Sequence, residues 1–267
     1  MADTARASSV WSLDGTTSSL NCGKFSGEIN IARPHVGLHQ PEFDYKDSPC
    51  TFLGVLRSPE EVAAPNATVE ESDRSWWPLA VDDFYIRGND LVATYHPADA
   101  WPYAPQIYWQ AQPASASMVA FASMSLLVSV QTQLLDTHPK IIVASAVPSS
   151  ELYYVSLGGG QAPRIELIKS DPTYGPSGGS CCIVRRLLTA PLSYVEFMPS
   201  TDFQQLKCSS GPRGKAFVQW HLFSEFLEKG VIQRARVHGA LLPSENDIQM
   251  AIECCSAFMN SPLPLTA

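Results

Sequence analysis

WWPLAVDDFYIRGNDLVATYHPADAWPYAPQIYW, running from Trp76 to Trp109, is the stretch whose reading decides the fold. It packs nine aromatic side chains into 34 of the chain's 267 residues. Phe84-Tyr85-Ile86 and Leu91-Val92-Ala93-Thr94-Tyr95 are β-branched and aromatic runs, suited to a pleated, half-buried surface. Between them, Gly88 and Asn89 tolerate positive φ, so the spacing predicts a β-hairpin. Pro97, Pro102 and Pro105 then remove backbone donors, fix φ, and push the residues before them into extended conformations. The expectation is a stiff, extended loop over 96–105 that presents Trp101 and Tyr103, with a strand resuming over 106–111.

Outward from this stretch the pattern stays β. Over 115–135, Met118, Ala120, Ala122, Met124, Leu126, Val128 and Val130 alternate with mainly polar residues, which predicts one long strand. A turn at 136–139 leads to a buried strand over 140–147, expected to be its antiparallel neighbour. Separate strands are predicted over 152–157, 164–168, 182–188 and 192–197. Upstream, strands are predicted over 24–32 and 51–56. Ser58-Pro59-Glu60-Glu61 has the cap serine, N1 proline and N3 glutamate of a short helix, which Pro65 ends.

Residues 217–229 fit period two as well as a helix closed by Gly230. Read as a strand, they form a hairpin with 231–242 across Lys229-Gly230. That register opposes Glu225 to Arg234, His221 to His238 and Leu222 to Val237, with matching apolar faces. Residues 244–260 are the clearest helix. Ser244 is the expected cap, Glu245 and Asp247 sit in the first turn, and Ile248, Ala251, Ile252, Cys255, Phe258 and Met259 form one stripe. The fold class is therefore mainly β. We expect an antiparallel β-sandwich of supersandwich size with a short helix in the N-terminal half and one C-terminal helix. A flexible arm, 1–20, would precede a single β-rich domain, 21–267.

The net charge of −8 and the lack of any Lys/Arg run argue against a phosphate-backbone binder, so no nucleic-acid partner is expected. No run of 18 apolar residues exists to span a membrane as a helix. The first 20 residues lack the apolar core of an export signal. With seven cysteines, two pairs of them adjacent, reduced thiols in the cytoplasm are expected.

The chemical motifs are thin. Gly175-Pro176-Ser177-Gly178-Gly179 matches G-x-S-x-G, but a nucleophile elbow needs a strand before the serine and a helix after it, and neither is predicted. Gly158-Gly159-Gly160 lacks the rest of a phosphate loop. His35 and His39 lie four apart among prolines that forbid a helix, and no C-x-x-C or H-E-x-x-H spacing occurs. No metal and no cofactor are expected.

The candidate binding residues are Trp76, Trp77, Tyr95, His96, Asp99, Trp101, Tyr103 and Trp109. Flat rings on a stiff loop beside polar groups suit stacking on sugar faces. Large sandwiches of this kind also occur among sugar-binding and sugar-epimerising proteins, a fold-level analogy. The expectation is a carbohydrate-binding or carbohydrate-processing protein. The alternative is a non-enzymatic scaffold or subunit, a homodimer for instance, with the same rings between chains. Core packing is the commoner fate of such rings.

Overall fold

The computed structural model describes residues 9–58, 77–99, 101–113, 120–158, 162–176, 179–211, 214–223 and 225–261. The strands are β1 (Trp11–Asp14), β2 (Thr17–Cys22), β3 (Phe25–Asn30), β4 (Leu38–His39), β5 (Thr51–Arg57), β6 (Val81–Arg87), β7 (Asp90–Tyr95), β8 (Tyr103–Pro113) and β9 (Ala122–Thr132). They continue as β10 (Ile141–Leu157), β11 (Arg164–Leu167), β12 (Thr173–Tyr174), β13 (Ser180–Leu187), β14 (Leu192–Met198), β15 (Gln205–Ser210), β16 (Lys215–Leu222) and β17 (Gln233–Pro243). One α-helix, α1 (Asp247–Met259), closes the described part.

The mainly-β, antiparallel expectation is met. All 17 strands join one hydrogen-bonded sheet, folded over on itself and nearly closed into a barrel. One half runs β1-β2-β3-β4-β5-β10-β16-β15-β12. The other runs β6-β7-β8-β9-β17-β14-β13-β10-β11. The short helix expected from Ser58 lies almost wholly outside the described residues.

Strand β10 belongs to both halves. Its first part pairs with β5 and β16, its second with β13 and β11. Pro148, which has no N–H, and a register shift between Ser149 and Glu151 mark the crossing. This corrects the expectation of two separate strands, 140–147 and 152–157. It also corrects their neighbours. β9 pairs with β8 and β17, not with β10, because the 133–140 connection carries the chain from one half to the other. The β9 alternation itself is as read: Ala122, Met124, Leu126, Val128 and Val130 all face the main core.

Residues 217–222 are strand and not helix, but the hairpin with β17 that the strand reading implies is not formed. β16 lies between β10 and β15, and β17 between β14 and β9, so both contribute to the main core without sharing a ladder. The flexible arm is corrected from Trp11 onward. β1 and β2 form a hairpin, and buried Trp11 donates its indole N–H to the Asn89 carbonyl at 2.9 Å.

Between the halves, the Phe25, Phe52 and Tyr194 rings pack at 4.2–6.1 Å. Beside them lies a fully buried polar cluster. Arg185 Nη2 stands 2.5 Å from Glu196 Oε1, and the Trp220 indole donates to Glu196 Oε2 at 3.0 Å. The Ser145 hydroxyl donates to Glu196 and accepts the Leu53 N–H at 2.8 Å. Leu53 is at φ 53°, in a bulge where two residues of β5 oppose one of β10. The hydroxyl thus satisfies a backbone donor that the bulge removes from the ladder.

Helix α1 covers the outer face of β13, β14 and β17 through Ala251 and Cys255, against Val184, Val195, Phe197 and Ala240. Its cap is corrected. Asn246 is the N-cap residue, in the left-handed region and without a side-chain cap bond, while Ser244 donates its N–H to the Pro191 carbonyl. Asp247 secures the helix instead, taking both a two-pronged contact from Arg186 (2.9 and 3.0 Å) and the Ser193 hydroxyl (2.6 Å). Hydrogen bonds from Arg186 and Ser193 hold its carboxyl below the usual range, against the opposing effect of burial. A carboxyl held low stabilises the fold above its unfolded pKa and stops doing so as pH falls through the lowered value. Asp247→Asn is therefore expected to cost on the order of 2 kcal/mol in urea denaturation at pH 7 and less at acid pH, where the wild-type carboxyl protonates. Equal loss at both pH values would rule out the ion pair as the cause.

Candidate functional site

The aromatic stretch forms its hairpin, β6 against β7, with Arg87 opposite Asp90. Gly88 takes φ 61° in the first central position, the arrangement of a type II′ turn. The loop beyond is not the extended ledge expected. Ala98 and Trp101 exchange backbone hydrogen bonds at 3.1 and 2.8 Å, a tight fold that turns the indole inward. Trp77 packs edge-on to Tyr95 (4.9 Å) and Trp101 (5.2 Å), and Trp101 to Tyr103 (5.8 Å). The Tyr95 hydroxyl donates to the Ile31 carbonyl at 2.8 Å, and burial drives its pKa far up. Trp101 is 1 % exposed and Trp109 is fully buried.

The platform of rings is thus corrected to core: their faces are spent on one another. Of the remaining candidates, His96 pairs with Asp82 at 2.8 Å on the surface. Exposed Asp99 borders a shallow groove of about 400 Å³ with Pro97, Pro102 and Leu134. Trp76 and Ser177 lie outside the described residues.

A different place has the shape of a site. The β14–β15 loop, the end of β16 and the start of β17 enclose a cleft of about 660 Å³, within the range of small-molecule sites. Phe203 anchors the loop by edge-on contact with the buried Trp220 ring at 5.1 Å. Asp202 shapes it, accepting the Arg236 N–H (2.8 Å) and the Thr201 hydroxyl (2.7 Å). Gln204 donates its N–H to the His221 carbonyl at 2.9 Å.

On the facing wall, Gln233 donates its side-chain amide to the carbonyls of Phe226 (3.2 Å) and Glu225 (3.5 Å). Those two acceptors fix the orientation of the amide. Its Oε1 is left buried with no donor among the described residues. Glu225 and Arg234 both line the cleft, though not as partners in the hairpin that opposed them. Phe223 borders both this cleft and a second hollow of about 400 Å³ holding His138, Lys140 and His221. Its φ of 50° is unusual for a bulky residue and costs about 1–3 kcal/mol, a strain found most often at functional sites.

The cleft offers amide, hydroxyl, carboxylate and guanidinium groups with two phenyl edges. No group of three or more His, Cys, Asp or Glu gathers as a metal site among the described residues. The thiols are poor nucleophiles: burial pushes Cys50 and Cys255 up to about 12. No helix of the described residues is long and apolar enough to cross a membrane.

One pair imitates a nucleophile and its base. Ser125 on β9 and His238 on β17 are direct strand partners with Oγ and Nδ1 2.7 Å apart. His238 is sealed between Phe197 (4.8 Å) and Phe258 (5.1 Å), under α1. Burial, with the nearby Arg236 charge, lowers its pKa to about 3. Such an imidazole is a weak base with no route to substrate, and its work is packing.

Neither a protein-family model nor a curated protein matches the chain. Solved structures resemble it at low identity. A TPR-domain containing protein from Parabacteroides distasonis aligns with TM-score 0.53 and 8% identity. That alignment covers 85% of this chain and 47% of the other, so the chain spans about half of that protein. HI1317 aligns with TM-score 0.46 and 8% identity over 84% of this chain and 91% of its own. A candidate aldose 1-epimerase from Klebsiella pneumoniae aligns with TM-score 0.39 and 7% identity over 71% and 61%.

A histidine held neutral in the fold but protonated when unfolded stabilises fully above pH 6.5 and progressively less toward pH 3. His238 should cost the fold about 1.4 kcal/mol per pH unit in that window. Urea denaturation at pH 7 and pH 5 is expected to show wild type losing stability that His238→Gln does not lose. Parallel losses in both proteins would contradict the neutral assignment.

Proposed function

We propose that the folded-over sheet is a supersandwich, its halves stacked across Phe25, Phe52 and Tyr194, and that it binds a saccharide in the cleft between the β14–β15 loop and the start of β17. The observation that carries this reading is the lining itself, where Thr201, Gln204, Glu225, Gln233 and Arg234 set hydroxyl, amide, carboxylate and guanidinium groups around one cleft of about 660 Å³. Sugar hydroxyls both donate and accept, so they complement the amides of Gln204 and Gln233, the Glu225 carboxylate and the Arg234 guanidinium together. The Phe203 and Phe223 edges supply the small apolar surface that a pyranose ring covers. The buried rings at Trp77, Trp101 and Trp109 support the site only as part of the core.

Saturation-transfer NMR against a panel of mono- and oligosaccharides tests this. At least one sugar is expected to bind, and Gln233→Ala to weaken it about tenfold, the worth of one well-placed hydrogen bond. A silent panel at millimolar concentrations would end the saccharide reading.

A second reading, a self-associating subunit, no longer rests on the aromatic stretch, which is buried within one chain. It rests on Leu134, Leu135, Phe226, Val231 and Ile232, all exposed, with Leu135 at 77 %. Leu227 donates its N–H to the Thr137 carbonyl and accepts the Thr137 hydroxyl, both at 2.8 Å, which holds their two loops together. Apolar side chains gathered this way suit a subunit contact. Sedimentation velocity is expected to show a concentration-dependent dimer that Leu135→Glu disperses. A wild-type monomer at every concentration would dismiss it.

A further inference from the structure

The ladder between β15 and β16 ends at a narrow divide. Gln205 and His221 are its last strand pair, and the Gln204 N–H adds one more bond to the His221 carbonyl at 2.9 Å. One residue past the end of β16, Phe223 leaves the extended conformation at φ 50°. Gln204 and Phe223 both line the cleft of about 660 Å³, and both line the hollow of about 400 Å³. The two spaces therefore adjoin, with this pair of residues as a common wall.

The hollow repeats the chemistry of the cleft in other residues. Ser58, Lys140, Gln205 and His221 bring a hydroxyl, an ammonium, an amide and an imidazole to its lining, beside the apolar side chains of Ile141 and Leu222. His138, also in the lining, stands edge-on to the exposed Phe226 ring at 5.9 Å. Polar groups next to small apolar surfaces suit the hydroxyl edge and the C–H face of a sugar. Each space is by itself of small-ligand size. A single sugar ring cannot lie on both sides of the Gln204–Phe223 wall. Successive units of a saccharide chain can, because one bridging oxygen joins them.

We propose that cleft and hollow are two stations of one trough, and that the ligand is a saccharide chain of two or more units lying across Gln204 and Phe223. The inference rests on the saccharide reading of the cleft and adds the length of the ligand to it. Once one unit is seated, its neighbour binds from within the same molecule. The second station then raises affinity without a second loss of translational freedom.

Titration by NMR with mono-, di-, tri- and tetrasaccharides of α-1,4- and β-1,4-linked glucose, β-1,4-linked xylose and β-1,4-linked mannose tests this. In at least one series the chain is expected to bind about tenfold or more tightly than its monosaccharide. Lys140→Ala combined with Gln205→Ala should remove most of that gain and leave monosaccharide binding in the cleft as it was. Lys140 is exposed, so Lys140→Ala alone keeps the test decisive if the double variant fails to fold. Gln233→Ala, in the cleft, should weaken monosaccharide and chain alike. A monosaccharide that binds as tightly as its own chains, or a gain that survives the hollow variants, overturns this inference and leaves the cleft reading standing. Silence from every sugar overturns both.

Discussion

One backbone ladder constrains everything else in this molecule. Each buried N–H and C=O needs a partner, and β10 supplies partners to four strands in two different halves of the sheet. A strand that must serve both halves has to bend between them. Pro148, with no donor to lose, and the register shift beside it are where it does so. The halves cannot separate without breaking β10's pairing with β13 or with β16.

The buried charges reinforce this arrangement more through specificity than through net energy. Removing Arg185 and Glu196 from water costs several kcal/mol per ion, which their attraction repays only with full hydrogen bonding. Glu196 obtains that bonding from Ser145 on β10 and Trp220 on β16, while Arg185 reaches it from β13. A shifted register in any of these strands would leave a charge unpaired in the core. The left-handed turn at Leu53 belongs to the same cluster, because Ser145 takes up the N–H that the bulge displaces.

Much of the local structure was legible. The β6–β7 hairpin followed from Gly88, the inward face of β9 from its alternation, and the C-terminal helix from its apolar stripe. What misleads is partnership. Alternating apolar residues and a fitting two-residue turn match β16 to β17 in the sequence, yet each alternation answers to a different neighbour. The aromatic stretch misled in a related way. Prolines made the loop after β7 look extended, but the Ala98–Trp101 turn folds it back and spends the ring faces inward. The cleft was invisible for the opposite reason: Gln204, Phe223, Glu225 and Gln233 come from two connections and the first residue of β17, and carry no motif. Only the Glu225 and Arg234 pairing hinted at it.

What the chain determined by itself is that it is β-rich and antiparallel, because alternation, β-branching and turn chemistry act within a few residues. Which strands lie side by side, which rings are buried, and which polar groups gather around one cleft were decided by tertiary structure. Those outcomes depend on closing a sheet over more than a hundred residues of chain. The backbone pairing and core packing that select among the closures act between residues whose sequence separation leaves no local trace.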